Sequence, residues 1–199
     1  MTGVAAKLMS GLTCAVALST AGQAAAAQNE TAALVLYVDN YAGVPPSMLL
    51  GAEKEAQRIY AAAGLRTFWV NDERIPGRVR LGRVRYLRIL LLCPKMSARK
   101  ISADEVRDNV LAQAGHTTGR AYIFIHRVMA AALRLESNPE IVLGRVLAHE
   151  VGHLLLPRPG HARTGLMKSG LDFRSRASDK FTATERAEIR LALAFTPRT

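Results

Sequence analysis

His149, Glu150 and His153 form the pattern His-Glu-x-x-His, His161 follows after a short loop, and Gly165-Leu166-Met167 lies just beyond. On a helix, residues four apart sit one turn above each other on the same face, so two imidazoles can address one metal ion. Glu150 then projects beside that ion, where a carboxylate can take a proton from water. Zinc in a catalytic site takes three ligands from the protein and leaves the fourth position to water. The pattern supplies two, and His161 is the nearest candidate for the third. The chemistry such a constellation permits is metal-assisted hydrolysis.

The helix that must carry these groups is marked by its start. Ser137-Asn138-Pro139-Glu140 offers capping side chains, a proline tolerated in the first turn and an early carboxylate. Ile141, Val142, Leu143, Val146, Leu147, Val151, Leu154 and Leu155 give it apolar residues on almost every side. Such a helix belongs against a sheet rather than at the surface. Pro157, Pro159 and Gly160 end it and redirect the chain toward His161.

Upstream, strands and helices alternate. An apolar run over 32–38 predicts a first strand, and helical spacing over 47–63, closed by Gly64, predicts a helix. Strands are expected over 65–70, 84–92 and 121–125, that over 84–92 central because its second half is apolar on both faces. Pro94 should stop that strand. Ser102 and Glu105 are spaced as a capping box and predict a short helix over 102–114. A short helix over 129–135 follows, and Thr182 with Glu185 predicts a last helix reaching about Phe195. No repeat or linker interrupts the chain, so the expectation is a single α+β domain: a mixed twisted sheet packed on helices, one of them a buried helix carrying the site.

The chain has 199 residues and a net charge of +11. Residues 1–27 carry one charge, Lys7, then an apolar run over 8–18 and an alanine-rich stretch ending at Ala27. This reads as a signal peptide leading to a secreted or periplasmic domain over 28–199, with no membrane span after cleavage. Cleavage would remove Cys14 and leave Cys93 as the only thiol, read as a buried apolar side chain, so no intramolecular disulfide is expected. The positive excess favours an anionic surface or polymer as a partner. Much of it sits in Arg74, Arg78, Arg80, Arg83, Arg85 and Arg88, read as the solvent face of a strand, and no motif specific for nucleic acid accompanies it.

With these residues in view, the chain resembles the zincin metallopeptidases through His149-Glu150-x-x-His153. It resembles the metzincins among them through a third histidine and a methionine-containing turn. The stretch from Leu147 to Met167 also resembles small secreted bacterial proteins of metzincin-like type. The resemblance implies a zincin-like α+β fold, one zinc ion held by His149, His153 and His161, Glu150 as general base, Met167 in a supporting turn, and a peptide or protein substrate. It also makes Glu185 and Glu188 reserve ligands, beside Asp172, because some zincins draw a glutamate from a later helix. Metzincins place the third histidine six residues after the second, whereas His161 comes eight after His153. His116 and His126 read as capping or strand-end residues, and Tyr122 as a strand residue of the core rather than an oxyanion donor. The alternative is a zincin-like module without activity that holds an anionic partner on its basic face.

Overall fold

Five strands pair into one mixed sheet: β1 (Ala33–Asn40), β2 (Arg66–Val70), β3 (Val84–Leu92), β4 (Ala112–Gly115) and β5 (Arg120–Phe124). Their spatial order is β2-β1-β3-β5-β4, with four strands parallel and β4 running antiparallel to β5 at the edge. Five helices accompany them: α1 (Pro46–Ala62), α2 (Pro94–Ala103), α3 (Ile125–Arg134), α4 (Pro139–Leu155) and α5 (Ala183–Ala194). This computed structural model describes residues 32–71, 84–158, 160–173 and 179–194. The expected signal peptide and Arg74, Arg78, Arg80 and Arg83 lie outside the described residues. Among those described, no helix is long and apolar enough to cross a membrane.

Alternation along the strands sends one set of side chains into the core that α1 and α4 share. Leu34, Leu36, Leu87, Ile89, Leu91, Ala121 and Ile123 of the sheet join Ala52, Ala56 and Ile59 of α1 and Leu143, Leu147 and Val151 of α4 in one cluster. Each fully buried aliphatic side chain of this kind contributes about 1.5–3 kcal/mol. The sheet centre is β3, as its doubly apolar second half requires. Helices α1 and α4 approach to backbone contact at Gly144, where a Cβ would lie 2.6 Å from the Ala52 carbonyl oxygen. Tyr60 seals the pair from within, donating its hydroxyl to the Ala148 carbonyl at 2.7 Å.

Five expectations need correction. Pro94 does not merely end β3; it occupies the first turn of α2, with Cys93 as the residue before it. The helix therefore spans 94–103 rather than 102–114, and Glu105, expected in a capping box, has a left-handed φ of 51° in the turn beyond. Residues 112–115, assigned by pattern to that helix, are the edge strand β4. Cys93 is half-buried rather than enclosed. Of the arginine-rich run, Arg85 and Arg88 are described, and their parity on β3 puts them on opposite faces rather than one; Arg88 pairs with Asp39 at 3.2 Å. Helix α3 starts directly at the end of β5, four residues earlier than the apolar spacing suggested.

A buried ionic network fixes α4 against its neighbours. Arg145, 4% exposed, meets Glu55 of α1 and Asp179 at 3.3 Å each and donates to the Asp172 carbonyl at 3.0 Å. Arg58 adds a second guanidinium to both Glu55 and Asp179. The hydrogen bond from Arg58 holds the Glu55 carboxyl below its ordinary range against the opposing effect of burial, with Arg145 adding to the shift. Removing one partner of a buried ion pair strands the other. Arg145→Ala should therefore lower unfolding free energy by about 3–5 kcal/mol, read as a fall in the urea midpoint at constant slope. A carboxyl depressed in the folded state contributes stability above its unfolded value near 4.3 and loses it as pH falls through the lower folded value. Stability should decline on acidification below about pH 4.3, and less steeply in Glu55→Gln, measured by urea titration across that range.

Candidate metal centre

Helix α4 starts where the sequence places it. Asn138 is the N-cap, its side-chain oxygen accepting from the Glu140 N–H at 2.8 Å, and Pro139 fills the first helical position. Along its length all but a few residues are buried, His149 (5% exposed) and Glu150 (7% exposed) among them. Polar groups at that depth need partners. His149 has two: its Nδ1 faces the Leu166 carbonyl oxygen at 2.7 Å, and its Nε2 lies 3.1 Å from Nε2 of His153. A carbonyl only accepts, so the Nδ1 carries the proton and Nε2 keeps its lone pair.

The loop after α4 returns His161 to this pair. The Ala162 N–H donates to the Met167 carbonyl at 2.8 Å, and Ala162 forms a bridge with Lys168, so the residue after His161 is tied to the methionine turn. The turn itself needs Gly165, whose φ is +77° and whose added Cβ would meet the Lys180 carbonyl at 2.7 Å. Leu166 N–H donates to that same carbonyl at 2.9 Å. The segment at 180 is held in turn by the start of α5, where Thr182 and Glu185 cap reciprocally at 2.7 and 3.2 Å. Met167, 1% exposed, lies under the helix against Gly152, where a Cβ would come within 2.7 Å of its sulfur.

The result is three imidazoles around one point. Each of His149, His153 and His161 offers a nitrogen, and these lie within 4.8 Å of one another; ring centroids are 4.7 to 5.3 Å apart. Two nitrogens bound tetrahedrally to zinc at about 2.0–2.1 Å stand roughly 3.3 Å apart, close to the 3.1 Å between the two helix histidines. The donor set, neutral nitrogen with one tautomer fixed by a backbone carbonyl, is that of a zinc site. Burial pushes His149 down to about 4 and His153 to about 3, the neighbouring imidazoles adding to the effect in His153. Both rings are thus neutral near pH 7 and offer lone pairs rather than protons. Burial pushes the Glu150 carboxyl up to about 8, opposed by a hydrogen bond from the Ala114 backbone.

A cleft of about 620 Å³ opens over these groups, with the segment from Asn109 to Ala114 along one side and Gly160 to Phe173 along another. Glu150 lines it together with all three histidines. Among the described residues the metal-ligating cluster is the histidine triad alone; Asp172, Glu185 and Glu188 are not part of it, and Glu185 is occupied by its cap. His116 lies in the turn after β4 and lines the same cleft, while His126 is the exposed second residue of α3. Tyr122 points to the other face of the sheet from core residues Ala121 and Ile123, with Lys100 over its ring at 4.4 Å. Sequence reading missed the wall formed by Ala112 to Ala114 because the strand was taken for helix. No local signal marks it: Arg127, from α3, donates to the Arg107 and Val110 carbonyls at 2.7 and 2.9 Å and holds the entry to β4.

Gly152 tests the packing beneath the centre. Alanine gains about 1 kcal/mol over glycine in a helix interior, but here it collides with buried Met167 and with the Phe181 ring at 3.0 Å. Gly152→Ala should therefore lose stability by about 1–3 kcal/mol and weaken zinc binding, measured by thermal melts with and without zinc and by competition with a chromogenic chelator.

No protein-family model and no curated protein matches the chain. Among solved structures it is similar to a zinc-dependent peptidase from Methanocorpusculum labreanum (strain Z), at 16% identity and a TM-score of 0.49 over 78% of this chain and 99% of that one. It is also similar to archaemetzincin from Methanopyrus kandleri, at 18% identity and a TM-score of 0.45 over 84% of this chain and 98% of that one.

Proposed function

We propose that this chain is a zinc-dependent peptidase whose metal is held by His149, His153 and His161 and whose general base is Glu150. The observation that carries the reading is the convergence of three imidazole nitrogens within 4.8 Å beside a carboxyl that lines the same cleft. When bound, zinc lowers the pKa of water to about 7 and polarises a carbonyl. The residues of the chain do the rest. Glu150 is the only carboxyl group among the described residues of the cleft; burial favours its protonated form, and ionised beside bound zinc it would take a proton from the attacking water and return it to the leaving amine.

Substrate presentation follows from the sheet. Strand β4 is at the edge, with no strand on its outer side among the described residues, and it borders the cleft that contains the histidines. An extended peptide can add to such an edge through main-chain hydrogen bonds, which brings an amide bond opposite the histidines without a demand on its side chains. The Ala114 backbone bonds the Glu150 carboxyl, so the base is held against that edge strand. The Met167 turn supports the arrangement from below by holding the Leu166 carbonyl against His149.

Removal of the base should separate binding from turnover. Glu150→Gln is expected to retain one zinc per chain and to lose peptide hydrolysis by about 10²–10⁴-fold, measured by metal analysis and by cleavage of a mixed peptide library. Undiminished cleavage would remove Glu150 from the role. His161→Ala should lose zinc at chelator concentrations that leave the parent loaded, and addition of zinc should raise the melting temperature of the parent and of Glu150→Gln but not of this variant. Unchanged metal content in His161→Ala would transfer the third position to another residue.

A further inference from the structure

We propose that Arg134 makes the cleft selective for substrates that place a carboxylate near the bond to be cut, glutamate above all. This rests on the peptidase reading of the histidine centre and names the substrate class for it.

The placement of Arg134 comes from two helices. On α3 and its C-cap, Ala131, Arg134 and Leu135 are spaced i, i+3, i+4 and so share the face that borders the cleft. On α4, Val146 stands one turn, about 5 Å, before His149 on the same face and borders the cleft as well. Leu171 and Phe173 complete the lining beyond the metal centre. Next to the histidines there is thus a recess with aliphatic and aromatic walls and one guanidinium at its rim. A side chain with a methylene stem and a terminal carboxylate matches that sequence of surfaces, the stem against the walls and the carboxylate on the fork of the arginine.

The charge around it points the same way. Among the described lining residues Arg134 is the only lysine or arginine, and Glu150 is the only carboxylate. Arg134 enters none of the ion pairs among the described residues, unlike Arg58, Arg88, Arg127 and Arg145. A guanidinium that faces a cleft with no acidic partner among the described residues is available to a substrate. A basic substrate side chain at that position would meet Arg134 with like charge, so the same residue that favours glutamate disfavours lysine. The net charge of +11 adds a long-range attraction for acidic peptides that falls off with salt.

The carboxylate could belong to a side chain or to the C-terminus of the substrate, and the test separates the two. Peptides carrying Glu, Gln or Lys at each position around the cut, with the C-terminus either free or amidated, are offered to the zinc-loaded full chain and to Arg134→Gln and Arg134→Glu, all checked for folding by thermal melts. In the parent, kcat/KM should favour Glu over Gln at one position by about fivefold to tenfold at low ionic strength, and less in 1 M salt. The ratio should approach one in Arg134→Gln and turn toward Lys in Arg134→Glu. If the preference follows the free C-terminus instead of the Glu, the carboxylate is the terminal one and the recess still binds it. A Glu to Gln ratio unchanged in Arg134→Gln overturns the proposal while leaving the peptidase reading intact. If no peptide is cut at all, the peptidase reading fails, and fluorescence anisotropy of the same Glu and Gln peptides decides the recess by itself: a binding preference that disappears in Arg134→Gln keeps it, and equal affinities overturn it.

Discussion

The structure of the site depends on the hydrogen bond between His149 Nδ1 and the Leu166 carbonyl. Its net contribution to stability is about 1 kcal/mol, which is modest. Its positional effect is larger, because it joins the buried helix to the methionine turn and fixes which nitrogen of His149 faces the centre. The carbonyl can stand there because Gly165 takes a left-handed φ and because Leu166 N–H is tied to Lys180. The Met167 carbonyl, one residue on, accepts from Ala162 and so sets the position of His161. One turn of four residues therefore places two of the three imidazoles.

Helix α4 carries two polar assemblies on a surface that is otherwise almost wholly apolar. Arg145 belongs to an ion network with Glu55, Arg58 and Asp179, and His149 with Glu150 belongs to the metal centre one turn later. The two are mechanically connected. Arg145 also binds the Asp172 carbonyl, and Asp179 directly precedes Lys180, which receives Leu166. The network thus holds Asp179 immediately before the residue that receives the turn. A buried ion pair is weak evidence for net stability, since desolvation offsets much of its attraction. Its value here is geometric: it holds the chain that follows the turn at Asp172 and Asp179 while the helix stays fixed against α1.

Much of this was legible in the sequence where residue types constrain the backbone directly. Asn138 and Pro139 mark the start of α4, Thr182 and Glu185 the start of α5, and the doubly apolar end of β3 its place in the middle of the sheet. The return of His161 was less legible, because the length of the loop after α4 does not reveal a bridge between Ala162 and Lys168. The edge strand was misread for an instructive reason. Ser102 and Glu105 have capping-box spacing, but Pro94 had already started the helix eight residues earlier, so the pattern fell at its C-terminal end. Ala112, Gln113, Ala114 and Gly115 carry no β-branched or aromatic residue. Their conformation comes from pairing with β5 and from the grip of Arg127 on the preceding loop, both of them tertiary effects that no local pattern records.

The same poverty of side chains bears on recognition. On the proposed function, a substrate strand lying against β4 would meet alanine, glutamine and glycine, small or flexible groups that allow close approach of two backbones and say little about sequence. Main-chain hydrogen bonds give every extended peptide the same affinity for that edge, to a first approximation. Discrimination must then arise where substrate side chains leave the strand and meet walls, which along this cleft means α3, the first half of α4 and the segment 169–173. On those walls charge is scarce, and a single guanidinium among aliphatic neighbours acts in a less screened setting than one on an open surface. An edge that does not read sequence thus concentrates selectivity in very few residues, so a single substitution on a wall can redirect the choice of substrate while the metal centre and the strand that presents the peptide stay as they are.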